Sequence, residues 1–176
     1  MRVPWVSALA ATLAGAVLFA LPGIREQFRS PGQKEAWRRD CYVVKPEEAA
    51  RRILQGQGKV VLLDVREKEE YDEFHIPGPL CLRITLRDLP TADLTPFQDA
   101  DLVIPYCLKD LRGFEGAKIL RQRGILNVGV FEKFGIYSWE NAGFPTAGTA
   151  NGKSDEQAMQ ELREKVAALP ASSIAP

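Results

Sequence analysis

At 176 residues the chain holds one ordinary domain with appendages, and an apolar content of 45% is enough for a core. Its 23 basic side chains balance 23 acidic ones, so charge gives no case for nucleic acid, and no basic stripe interleaved with aromatics appears. Cys41, Cys81 and Cys107 lie far apart: they form no disulfide framework, and with His75 as the lone histidine they lack zinc-ligand spacing, so no metal or cofactor is expected.

Residues 3–21 carry no charge. As a helix rising about 1.5 Å per residue, they come close to the roughly 30 Å of a bilayer core. Residues 1–24 therefore read as an uncleaved transmembrane anchor, with a cleaved signal and a secreted or periplasmic domain as the alternative. The side of the membrane stays open. Arg25, Arg29, Lys34, Arg38 and Arg39 favour a cytoplasmic domain, whereas very short N-termini often stay inside and export the downstream domain.

Residues 25–40 read as a linker, 41–148 as the folded domain, and 149–176 as a linker with a C-terminal amphipathic helix and tail. Within the domain, 42–44 suit a short strand. Pro46 can open a helix whose apolar face is Ala49, Ala50, Ile53 and Leu54. The continuous apolar run 60–65 suits a strand covered on both faces. Residues 67–74 look helical, 77–79 form a turn and 80–84 another strand. A strand over 102–106 leads into Cys107, a polar turn over 108–113 and a helix reaching about Arg123. A strand over 127–131 and a helix over 135–142 come next. The segment 146–153 reads as a linker. A last helix from about Asp155 places Met159, Leu162, Val166 and Leu169 on one face. Alternating strands and helices imply an α/β domain with a largely parallel sheet and helices on both faces.

Ligands of such sheets bind beyond the carboxyl ends of strands, which is where Cys107 falls. Amides converging there and the dipole of the next helix favour a negative sulfur, hence a depressed thiol pKa and a nucleophile. The competing reading is a small buried hydrophobe, as free cysteines often are.

A second segment weighs on that choice. Asp64, Val65 and Arg66, then Glu70 with Tyr71, then His75, Ile76, Pro77 and Gly78 closely resemble the signature of the rhodanese family. Tyr106, Cys107, Arg112, Gly124, Asn127, Val128, Gly135, Trp139, Gly143 and Pro145 match its second half in order, so the resemblance spans about 42–147. It implies a rhodanese-like fold and sulfur transfer. In that family the loop cysteine takes sulfane sulfur from a donor such as thiosulfate, holds it as a persulfide, and passes it to a thiol or cyanide-like acceptor. By this resemblance Cys107 is the catalytic residue, and Leu108, Lys109, Asp110, Leu111, Arg112 and Gly113 form the substrate-binding loop. Asp64, Arg66, Glu70, His75 and Gly78 are its structural motif, with Arg66 and Glu70 expected to pair four residues apart.

Departures from the family pattern matter. Asp110 stands where active members commonly have glycine, and a carboxylate near the sulfur would oppose thiolate formation. Dual-specificity phosphatases of this fold need five residues between cysteine and arginine; here four intervene. Cys81 reads as a buried filler, while Cys41, if exposed, could resolve a persulfide. The expected function is a membrane-anchored sulfurtransferase serving a small donor and an acceptor that could be a protein thiol. The alternative is a catalytically inactive rhodanese-like module that binds protein at the membrane.

Overall fold

The computed structural model describes residues 42–131 and 135–170, apart from the side chain of Asp110. The expected membrane span, the 25–40 linker, Cys41 and the tail 171–176 lie outside these residues. Among the described residues no helix is long and apolar enough to cross a membrane.

In chain order the strands are β1 (Tyr42–Val44), β2 (Val60–Asp64), β3 (Cys81–Arg83), β4 (Leu102–Tyr106) and β5 (Gly129–Phe131). The helices are α1 (Pro46–Gln55), α2 (Lys68–Glu73), α3 (Asp110–Gln122), α4 (Gly135–Asn141) and α5 (Asp155–Ala167), with a 3-10 turn at Thr95–Phe97. Every strand pairing is parallel: β3 and β4 flank β2, and β1 pairs with β5. A parallel bridge between Val103 and Val128 joins the two groups, giving the order β1-β5-β4-β2-β3. The register runs from Val60 opposite Leu102 to Asp64 opposite Tyr106.

Both central strands are buried at every position, as a sheet covered on two sides requires. Side chains alternate along each strand, so Val60, Leu62, Leu102, Ile104 and Tyr106 share one face. There they meet Ala49 and Ala50 of α1, Ile136 and Trp139 of α4, and Leu162 and Val166 of α5. Val61, Leu63 and Val103 face the other way, where α3 packs on β4 with Ala117 and Leu120 fully buried. The helices thus lie on both faces, as the alternation of elements implies.

Two glycines set how closely α3 approaches the sheet. A Cβ at Gly113 would sit 3.0 Å from the Pro105 carbonyl oxygen, and one at Gly116 would sit 3.0 Å from Val65 Cγ1 and 3.2 Å from Pro105 Cβ. With no side chains there, the start of the helix lies directly against the end of β4. The helix also begins earlier than its apolar pattern suggests. Arg112 and Gly113, read as part of a turn, occupy its first turn.

The segment read as a linker is hydrogen-bonded to the domain. His75 and Ala147 exchange backbone hydrogen bonds of 2.8 and 2.9 Å, and Thr149 and Ala150 donate to the Asp72 and Glu73 carbonyls at 3.0 and 2.9 Å. Gly148, at φ +133°, passes so close to Glu73 that a Cβ would overlap its carbonyl oxygen. Beyond it, Ser154 and Gln157 form a reciprocal cap that starts α5.

Gly116→Val is expected to push α3 off β4 and destabilise the domain by about 1–3 kcal/mol, the usual cost of overpacking. Urea unfolding of the two proteins measures it.

Candidate functional site

Two residues past β2, Arg66 folds back onto the buried Asp64. Its backbone N–H donates to Asp64 Oδ1 at 2.9 Å, and its guanidinium reaches Oδ1 at 2.9 Å and Oδ2 at 2.7 Å. The side chains are 1% and 0% exposed, so the charges must satisfy each other. Burial opposes the Arg66 charge, but the Asp64 hydrogen bonds and charge outweigh it and raise the pKa. Arg66 also donates to the Phe74 carbonyl at 2.6 Å and lies over the Phe74 ring. Both ends of α2 are thereby tied to the end of β2.

That attachment overturns the expected pairing of Arg66 with Glu70. Arg66 bonds Asp64, and Glu70 instead reaches across to the cysteine loop. Arg112 Nη1 donates to Glu70 Oε2 at 2.7 Å, and Nη2 donates to Oε1. Glu70 Oε2 accepts in addition from the Glu67 backbone N–H at 3.2 Å, half of the cap that starts α2. The Arg112 hydrogen bonds hold the Glu70 pKa below the usual carboxylate range, against partial burial. A carboxylate depressed in this way stabilises the fold above its unfolded pKa. The contribution is lost as pH falls through the lower folded value.

Cys107 follows the last residue of β4 and is 3% exposed. Backbone N–H groups of Gly113, Arg112 and Lys109 face its sulfur, and the thiol donates to the Lys109 carbonyl. Burial pushes the Cys107 pKa up; the three amides and the Arg112 charge pull it down, and burial prevails. The expected depression of this pKa is therefore overturned. The amide nest is present, but the sulfur lies too far from water for it to win.

A cradle not singled out by the sequence reading holds the loop from the other side. Ile136 N–H donates to the Cys107 carbonyl at 2.9 Å, and Tyr137 N–H approaches the Leu108 carbonyl at 3.5 Å. Gly135 makes this possible at φ +47°, because a Cβ would overlap the carbonyl oxygen of Cys107. Its signal was the glycine opening a short helix after an apolar strand. The Asp110 backbone opens α3 in helical conformation; its side chain lies outside the described part.

His75 stands apart from this chemistry. Nδ1 lies 2.9 Å from the Tyr71 carbonyl, Nε2 lies 3.2 Å from the Asp155 carboxylate, and the ring stacks on Tyr71. Both nitrogens are engaged, so neither is free to act as a base for Cys107. Gly78 sits in the turn just beyond, and a Cβ there would meet Leu62 at an ordinary 3.5 Å. Cys81 Sγ contacts the Tyr106 hydroxyl at 3.3 Å, and burial pushes its thiol pKa up to about 12, the mark of an inert cysteine.

The arrangement is that of a parallel α/β domain with a cysteine loop between the end of a central strand and the start of a helix. The Rhodanese-like domain model matches residues 45–142, more than half of the chain, and the chain belongs to that family. A solved protein of unknown function from Rhodopseudomonas palustris, described as a possible tyrosine phosphatase, is 23% identical with a TM-score of 0.54, covering 64% of this chain and 89% of its own. A protein from Anabaena is 22% identical with a TM-score of 0.52, covering 67% and 91%. A thiosulfate sulfurtransferase from Pseudomonas aeruginosa is 24% identical with a TM-score of 0.51, covering 73% of this chain but 24% of that longer one. These likenesses show the shared fold. No curated protein matches the sequence.

Two outcomes test the site. Iodoacetamide alkylation of Cys107 should rise with pH through a midpoint above that of a free cysteine; a midpoint at or below it contradicts the burial argument. Gly135→Ala should release the loop, so that alkylation at neutral pH speeds several-fold and the melting temperature falls.

Proposed function

We propose that the chain is a sulfurtransferase that carries sulfane sulfur as a persulfide on Cys107. The observation that carries this reading is the set of backbone N–H groups from Lys109, Arg112 and Gly113 directed at one buried sulfur. A persulfide anion extends the charge by one atom, and such a nest suits it. Attack by Cys107 on a donor breaks the donor's S–S bond, and a second nucleophile then removes the sulfur, so one transfer becomes two. Leu108 to Gly113 form the wall of the donor site. The acceptor is a thiol, a protein thiol included, or a cyanide-like nucleophile. Family membership supports this reading, as does the likeness in fold to a thiosulfate sulfurtransferase. The apolar stretch over 3–21 supports a membrane tether for the domain, which protease accessibility in intact cells tests.

Two other readings draw on specific observations. The raised Cys107 pKa favours a protein-binding module without catalysis. A neighbour's description as a possible tyrosine phosphatase invites an anion-cradle reading. The four-residue gap to Arg112 and the capture of that arginine by Glu70 oppose the latter.

Intact mass spectrometry after incubating the full chain with thiosulfate or an organic persulfide decides between the first two. One added sulfur on the wild type and none on Cys107→Ser is expected. No adduct from any donor would overturn the sulfurtransferase reading and leave the binding module.

A further inference from the structure

Of the two cations in the loop, Arg112 acts with its charge on the Cys107 sulfur, and Lys109 is exposed. Yet both terminal guanidinium nitrogens are already held by Glu70, and the paired side chains are 38% and 33% exposed. The pair is neutral as a unit. An incoming anion meets the Glu70 carboxylate as soon as it meets the guanidinium. Among the described residues at the loop, Leu111 in the first turn of α3 is 37% exposed and Tyr137 in the first turn of α4 is 39% exposed, and half-buried Leu108 has its carbonyl 3.5 Å from the Tyr137 N–H. Exposed apolar side chains beside a reactive group favour an organic ligand over a small hydrated ion.

From these two observations we infer that Glu70 sets donor specificity, masking Arg112 so that the loop selects an organic persulfide, R–S–SH or its monoanion, over dianionic thiosulfate. The inference rests on the sulfurtransferase reading and names the substrate class for that site. Glu70 acts through Arg112 and is a positioning residue. The transfer needs no further reactant. The Cys107 thiol gives its proton to R–S–S⁻; the thiolate then attacks the outer sulfur of R–S–SH and forms a new S–S bond. The old S–S bond breaks with its electron pair on R–S⁻, leaving Cys107 as –S–SH. Atoms and charge balance, and one negative charge enters and one leaves. With thiosulfate, two charges would enter and two would leave as sulfite, against an arginine that is already neutralised.

Glu70→Gln removes the charge and keeps an N3 side chain able to cap Glu67, so α2 should persist, which circular dichroism checks. In the full chain, loading of Cys107 is followed by intact mass with thiosulfate and with 2-hydroxyethyl persulfide generated in situ. The persulfide-to-thiosulfate preference of kcat/KM should fall about tenfold or more in Glu70→Gln, roughly 1.4 kcal/mol per decade, and mainly through the KM for thiosulfate. Equal losses with both donors, or an unchanged preference, overturn the inference. A binding arm separates it from the function itself. In the Cys107→Ser chain, which cannot react, calorimetry should show Glu70→Gln tightening thiosulfate binding about tenfold. Arg112→Gln in the Glu70→Gln background should abolish the gain. An absent gain overturns the masking role even if the wild type turns over. A gain in a chain that no donor loads sustains the masking role while the sulfurtransferase reading fails.

Discussion

The buried pair of Asp64 and Arg66 fixes the segment that follows β2, and the contacts of the cysteine loop depend on it. Two charges removed from water must find each other, and here they do so at the end of a strand whose every residue is buried. The guanidinium has a further donor to spend, and the Phe74 carbonyl receives it. The short helix between them therefore has little freedom in direction. Its third residue, Glu70, grips Arg112 in the first turn of α3. From there the constraint passes through Arg112 to the amides around Cys107. Removing one partner of the pair would leave an unpaired charge in the interior, a cost of about 3–5 kcal/mol in comparable cases. The same change would also loosen the support of the reactive loop.

Cys107 is governed by two opposed effects of similar origin. The close packing that brings three N–H groups to its sulfur is also what excludes water from it. Gly113 and Gly116 lower the helix onto the strand, and Gly135 lets the next segment close over the carbonyl of the cysteine itself. The result is a resting thiol within a site shaped for a sulfur anion. Such a site disfavours casual oxidation, because the thiolate is the reactive form, and it suits a sulfur that becomes charged only when a donor has arrived.

Much of this was legible in the residues. The doubly covered strands over 60–65 and 102–106 announced themselves by unbroken apolar runs, and Pro46 and Gly135 marked helix starts where helices begin. The family resemblance implied structural roles for Asp64, Arg66, Glu70 and His75, and both ring nitrogens of His75 lie against other groups, the Tyr71 carbonyl and the Asp155 carboxylate. What stayed hidden depends on tertiary approach. Nothing in the interval between Glu70 and Arg112 shows that they meet, and the four-residue spacing of Arg66 and Glu70 suggested a nearer partner instead. The α3 start was obscured because Gly113 and Gly116 weaken local helical preference, whereas packing on β4 rewards the absence of a side chain. Cys107 looked activated because adjacency to a helix start is visible in a sequence, while depth is not.

The last helix bears on where this domain ends. The family model stops at residue 142, yet Leu162 and Val166 of α5 belong to the same buried cluster as Ala49, Ala50, Trp139 and Phe144, and His75 is held from outside by Ala147 and Asp155. The packed core thus extends past the span that carries the family motif. A gene fusion or splice that respected only the motif would carry the cysteine loop intact and strip α5 from the face it shares with α1 and α4. Shuffling of this module between proteins is constrained by a helix that carries none of its signature.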